Sequence, residues 1–363
     1  MAEIEADVAV YGGGHGGAFV AKSLSEKGHR VVLVDKNDYI ENCSATVRNL
    51  VVPGFADRAI VKFSDALPKV EFVHGRLVSL EQDGTGVVER GNETLFVKAR
   101  AAVLCTGQRY KDTVSWSATE YTSEARLNFY KEYVAKVKAS KDIVIVGAGP
   151  VSVEFAAEVV SQYDDKKVTV VSSESRVLPN TAESASAVAQ NFFNGKLTVL
   201  DNTRVESQSA EGVILSNGQS IPADLVFWGV GGRPNSEYMA AHWSEAVNEK
   251  GEILVSPQFL VKGAKNVFAF ADVAHLDGEP KLAWLTGQQW PICAHNVDQF
   301  LTGSQAYKAY RTHPHDQRIG VTLGPRKGVF QLPYVGTVAW DWFARLAKSG
   351  DMMVGSFRKS LGV

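Results

Sequence analysis

Two glycine turns constrain the fold of this chain more than any other feature. The first, VAVYGGGHGG (residues 8–17), follows an apolar run and leads into AFVAKSLSEK (18–27), a helical stretch stopped by Gly28. RVVLV (30–34) then reads as a second strand, ended by Asp35 and Lys36. Glycines at 12, 14 and 17, between strand and helix, have the spacing of a dinucleotide-binding turn, with Gly16 beside them. Gly12 permits the tight turn, Gly14 lets backbone approach a pyrophosphate, and Gly17 lets the helix pack on the strand. Asp35 is placed to accept hydrogen bonds from a ribose.

The unit recurs as IVIVGAGPVS (143–152). DIVIV (142–146) is the strand, Gly147, Gly149 and Pro150 the turn, and Ser152 stands in the third glycine's place. VEFAAEVVSQ (153–162) is the helix and KVTVV (167–171) the second strand, which ends in Ser172 where an acid would select NADH. With Arg176 nearby, NADPH is not rejected. Two nucleotide sites in one chain point to hydride transfer between a nicotinamide and a flavin.

Four further segments resemble the two-dinucleotide-binding-domain flavoproteins. They are AAVLCTG (101–107, with Thr106 and Gly107), LVFWGVGGRPN (225–235, with Gly231), NVFAFADVA (266–274, with Asp272) and KLAWL (281–285). VEFAAE (153–158), PKLAWLTG (280–287) and LAKSGDMMVGSFRK (346–359) narrow the likeness further. They resemble the ferroptosis suppressor and apoptosis-inducing-factor-like, mitochondrion-associated NAD(P)H:quinone oxidoreductases. The resemblance implies an α/β fold of two Rossmann-like domains, one for FAD and one for NAD(P)H, with a C-terminal α+β extension. It implies bound FAD, NADH or NADPH as co-substrate, and ping-pong transfer to a ubiquinone-like quinone that limits lipid peroxidation. Asp272 would then hydrogen-bond the ribitol and pyrophosphate region. Arg48 would pass along the FAD and Glu154 would face the nicotinamide. Lys281 would stabilise the anionic reduced flavin. Glu154 also reads as a helix-start carboxylate, Lys281 as a surface lysine, and Arg48 as an ordinary ion-pairing arginine.

The chain departs from that pattern in three places. Ala271 replaces a glycine of the FAD fingerprint, Ala2 replaces the myristoylated glycine of vertebrate members, and the CxxxxC of the disulfide reductases is absent. Cys43 stands alone near its place, and Cys105 and Cys293 are scattered, which argues against a dithiol relay.

With 38 basic and 40 acidic side chains the chain offers no bulk attraction for nucleic acid, and none is expected. No apolar run suggests a membrane span, and no basic leader is evident, so a cytoplasmic protein is expected. The expected division is 1–113 with 237–304 for FAD, 114–236 for NAD(P)H, and 305–363 as extension. Residues 72–100 read as an antiparallel excursion. In VAWDWFARLAKSG (338–350), Trp340, Phe343, Leu346 and Ala347 recur at helical spacing. That stripe would contact a membrane, form a quinone entrance or a homodimer, or simply pack on the flavin domain. His313 and His315 read as loop residues, and no metal site is expected. Two other functions remain open: a redox signalling or death effector, and a type II NADH dehydrogenase-like respiratory enzyme.

Overall fold

The computed structural model describes residues 2–111, 119–313 and 318–363. The chain folds into two parallel sheets of Rossmann type, each opening on one of the glycine turns. In the larger, Ala2–Tyr11 lies between Val31–Asp35 and Glu93–Leu104, parallel to both, and Glu71–His74 continues the sheet beyond Val31–Asp35. The register Tyr11↔Val34 and Tyr11↔Leu104 brings three strand ends to the level of Gly12. Val8, Ala9, Val10 and Tyr11 are fully buried, as expected of a parallel strand covered on both faces.

Glu93–Leu104 serves two structures at once. Its first half closes an antiparallel meander with Gly86–Arg90 and Arg76–Leu80, the expected excursion. Its last residues pair with Val267–Ala269, the strand that leads to Asp272. The larger sheet therefore draws strands from both sides of the smaller one in sequence. The smaller sheet has the order Thr198–Leu200, Lys167–Val171, Asp142–Val146, Leu225–Trp228, all parallel. The expected division between residues 113 and 114 falls outside the described residues.

The two units join where their exit strands meet. Gln108–Arg109 pairs antiparallel with Arg233–Pro234. Asn235 Nδ2 donates to the Thr106 carbonyl at 2.9 Å, and the Thr106 hydroxyl donates to the Asn235 carbonyl at 2.7 Å.

After the helix Ala283–Leu301, the tail forms a small antiparallel sheet of Ile319–Leu323, Lys327–Leu332 and Gly336–Val338. Val321, Leu323 and Val329 enter one apolar cluster with Val153, Phe155 and Ala157 of the second fingerprint helix and with Val47, Leu50 and Val51. The tail is thus part of the core between the two units. The expected helix over 338–350 forms only as Asp341–Ala344, followed by a π-turn over Arg345–Ser349. That changes the facing of the stripe. Phe343 and Ala347 pack inward on Phe330 and Val338, but Trp340, Trp342 and Leu346 stay 60%, 65% and 81% exposed.

Candidate dinucleotide and redox site

Both fingerprint helices begin on a bare glycine. His15–Glu26 starts after Gly14 and Pro150–Gln162 after Gly149, neither with a side-chain cap nor an acid in the first turn. The unsatisfied N–H groups and positive dipole end of each helix are thereby left to an external anion. Pro150 suits the first helical position, where no N–H is needed.

The glycines divide into two kinds. Gly12 has φ +99°, and a side chain there would collide with the Cys105 carbonyl; one at Gly17 would collide with the Gly12 carbonyl. These two let strand and helix close on each other. A Cβ at Gly14, Gly107, Gly149 or Gly231 would meet nothing within 4 Å, so backbone at those four faces open space. At Gly16 a Cβ would meet the Phe270 ring and Thr286, so its lack of a side chain makes room for them. In the second turn Gly147 has φ +98°, and Ser152 fits beneath it by donating to the Gly229 carbonyl at 3.4 Å.

Asp35 accepts from the Gly13 N–H across the turn and from the Asn37 N–H at 2.7 Å. Burial pushes its carboxyl up, against those two bonds and the Lys36 charge. Lys36 itself is half-buried, with its ammonium 5.7 Å from the Tyr121 ring centre.

Asp272 follows Ala271, which takes φ +62°, a left-handed conformation normally given to glycine. The turn is held by Gln289, whose Oε1 accepts from the Ala271 N–H at 3.0 Å. Asp272 lines a recess with Lys281, Leu285 and Gln289; burial raises its carboxyl and the Lys281 charge opposes that. Lys281 is anchored on the Ala274 carbonyl and on Glu252 at 3.2 Å. Ser172 is buried and its hydroxyl accepts from the Glu174 N–H at 3.1 Å. Arg176 is turned away from coenzyme recognition, donating to the carbonyls of Pro179 (2.9 Å) and Thr181 (2.6 Å).

Glu154 is buried on the second fingerprint helix. Its Oε1 accepts from the Thr322 N–H at 2.8 Å, the Thr322 hydroxyl at 3.2 Å and the Lys348 ammonium at 2.7 Å. Sequence reasoning missed Lys348. Its only signal was its place inside LAKSGDMMVGSFRK, a segment used for likeness and not for chemistry. Its field reaches the Cys43 thiol, which also feels Asp272, as does the Tyr110 hydroxyl. Lys348 thus joins Glu154 by a direct ion pair and lies within electrostatic reach of Cys43, as Asp272 does of Cys43 and Tyr110. Cys43 is a single thiol there, pushed up to about 11 by burial.

Arg48 makes the ion pair that one of its two readings expected. Its guanidinium is buried and turned to Glu158 and to tail carbonyls, at 2.5 Å and 2.7 Å for the shortest bonds. Its position in sequence beside the first unit gave no sign of partners 110 and 301 residues away. His313 packs against Trp284 and Tyr310, and His315 lies outside the described residues. Among the described residues no helix is long and apolar enough to cross a membrane.

Residues 6–294 match the family model for pyridine nucleotide-disulphide oxidoreductases. Apoptosis-inducing factor homolog B of Dictyostelium discoideum is 27% identical over 98% of this chain and 96% of its own length. Ferroptosis suppressor protein 1 of Xenopus tropicalis is 26% identical over 98% and 96%. The sulfide:quinone oxidoreductase of Aquifex aeolicus superposes with a TM-score of 0.76, covering 99% of this chain and 90% of that one at 18% identity, which speaks for the fold. The chain therefore belongs to the pyridine nucleotide-disulphide oxidoreductases and, over nearly its whole length, is similar to the ferroptosis suppressor and apoptosis-inducing factor homologues.

Proposed function

We propose that the protein is an FAD-dependent NAD(P)H:quinone oxidoreductase. The observation that carries this reading is the pair of uncapped glycine turns in a chain whose Cys43 is a single thiol with no cysteine paired to it. A disulfide relay needs two cysteines within reach. Cys43 has none, and a thiol held near 11 is protonated at neutral pH. Electrons arriving there must leave to an acceptor from outside.

Residues 1–113 and 237–304 would hold the FAD, 114–236 the coenzyme, and 305–363 the acceptor side. The open backbone at Gly14 and the bare start of the first fingerprint helix fit a diphosphate, and Asp35 retains lone pairs for a ribose hydroxyl. Thr106 and Gly107, at the exit of the first sheet, and the half-buried Asp272 suit the ribitol side. Bound there, FAD would supply hydride acceptance from the nicotinamide and two-electron delivery to a quinone.

The chain's own part is placement and charge. Gly147, Gly149, Pro150 and Ser152 shape the coenzyme turn, with Gly231 open beside it. Glu154 orients the coenzyme end of the region, and Lys348 places a cation in it. Two of the three ammonium N–H groups of Lys348 go to Glu154 and to the Gly320 carbonyl (2.9 Å), which leaves one for an incoming acceptor oxygen. Lys281, held by Glu252, contributes positive charge on the Asp272 side. The exposed Trp340, Trp342 and Leu346 belong to the same tail as Lys348, which suits a lipid-soluble acceptor arriving from a membrane surface. Steady-state oxidation of NADH and NADPH with several quinones tests the reading: turnover that depends on the quinone supports it, and none with any quinone opposes it.

A further inference from the structure

The Lys348 contact with Glu154 is made from an awkward piece of chain. Lys348 sits inside the π-turn Arg345–Ser349, closed by the Gly350 N–H on the Arg345 carbonyl at 3.0 Å. Just beyond it Met352 and Met353 take φ +54° and +61°, two consecutive left-handed residues without a glycine. Such backbone persists only where its surroundings hold it. π-Turns are themselves frequent at functional sites.

The hold comes in part from residues 42–48, distant in sequence but in direct contact with the turn. Asn42 Nδ2 donates to the Met352 carbonyl at 3.0 Å. Arg48 Nη1 donates to the Ser349 carbonyl at 2.7 Å and to the Gly350 carbonyl at 3.4 Å. The other edge of the same guanidinium donates to Glu158 Oε1, through Nε at 3.0 Å and Nη2 at 2.5 Å. Glu158 lies one helical turn after Glu154 on Pro150–Gln162, so the two carboxylates share a face of that helix. The connections close a ring: Glu154 to Lys348, along one residue to Ser349, across Arg48 to Glu158, and back along the helix. Arg48, Glu158 and Ser349 are 3%, 1% and 0% exposed, so solvent does not compete for these bonds.

We propose that Arg48 is a positioning residue for Lys348. It fixes the carbonyl end of the π-turn against the coenzyme helix, one turn from Glu154, and so keeps the ammonium in the redox region. Only the guanidinium fork can grip Glu158 with one edge and two backbone carbonyls with the other, which an ammonium cannot reproduce. This inference rests on the reading of Lys348 as part of the redox region, and the test separates the two.

The test is a double-mutant cycle on the FAD-loaded protein with Arg48→Lys, Lys348→Met and both together. Two quantities are read: single-turnover reoxidation of the NADH-reduced flavin by a short soluble quinone, and amide exchange over residues 345–353. Arg48→Lys keeps a cation beside Glu158 but loses the fork. The expected results are slowing of about tenfold or more in each single variant, no further slowing in the double variant, and faster exchange over 345–353 in Arg48→Lys. Slowing in the double variant equal to the product of the single effects overturns the inference, as does unchanged exchange. If the reduced flavin of Lys348→Met is reoxidised by the quinone at the wild-type rate, the reading of Lys348 fails, while the exchange measurement still decides whether Arg48 holds the turn. Should Arg48→Lys fail to fold, Glu158→Gln weakens the other end of the Arg48 fork while keeping its shape and takes its place in the cycle.

Discussion

Ala271 shows how a single substitution is accommodated. A left-handed alanine costs roughly 1–2 kcal/mol relative to an allowed conformation, and Gln289 fixes it there. Ala271→Gly should therefore raise stability by about 0.5–1 kcal/mol after the added chain entropy of glycine is subtracted, measured by denaturant unfolding of the FAD-loaded protein. A loss of stability would show that the alanine methyl contributes packing. Cys43 gives a second residue-level expectation. With its thiol near 11, the thiolate fraction at pH 8 is about one in a thousand, so alkylation should run about two orders of magnitude slower than for a free cysteine and keep accelerating until the pH nears 11. Ordinary alkylation kinetics at pH 8 would contradict the burial. Which residues were legible follows from how their roles arise. Gly12, Gly14, Gly17 and Asp35 act through local spacing, and the structure sets them in one turn as the pattern requires. Arg48 and Lys348 act through partners distant in sequence, and nothing in a local pattern reveals such a partner.

Among the elements, the strands and helices of both glycine units were readable because their apolar runs and breakers coincide. The second unit matches at Asp142–Val146 and Lys167–Val171, whereas both helices begin three residues earlier than the apolar pattern alone suggested, inside the turns. The tail was less readable. A regular helical stripe would bury Trp340, Phe343, Leu346 and Ala347 together; the π-turn rotates that surface and leaves Trp340 and Leu346 outside. Replacing Trp340, Trp342 and Leu346 with alanine together should therefore change stability by less than about 0.5 kcal/mol per site, since exposed positions contribute little to folding. The same variant should lose binding to liposomes and turnover on a long-tailed quinone, while a short soluble quinone is used as before. Equal effects on both quinones would assign the ridge to some other contact. The second strand end makes a separate prediction. Ser172 offers no carboxylate and Arg176 is committed to carbonyls, so kcat/KM for NADH and NADPH should agree within about tenfold. A preference above a hundredfold would mean that other residues choose the coenzyme.

For the whole molecule, the order of elements explains how one chain joins two sheets of dinucleotide-binding type. The larger sheet is completed by Val267–Ala269 only after the smaller sheet has been made, and the paired exits at Gln108–Arg109 and Arg233–Pro234 tie the two units together. The tail then packs across both and contributes Lys348 where they meet. The fold class and the presence of two nucleotide turns were evident from sequence because they are repeated and local. The closure of the region by residues 318–363 was not, because it depends on packing among segments hundreds of residues apart. The central claim is that electrons pass from NAD(P)H through FAD to a quinone. Anaerobic sequential mixing of the purified protein tests it most directly, with flavin absorbance followed first against NADH and then against a quinone. The flavin band should be lost on the first mixing and return on the second. A protein without flavin even after FAD is added, or a reduced flavin that persists in the presence of quinone, would contradict it.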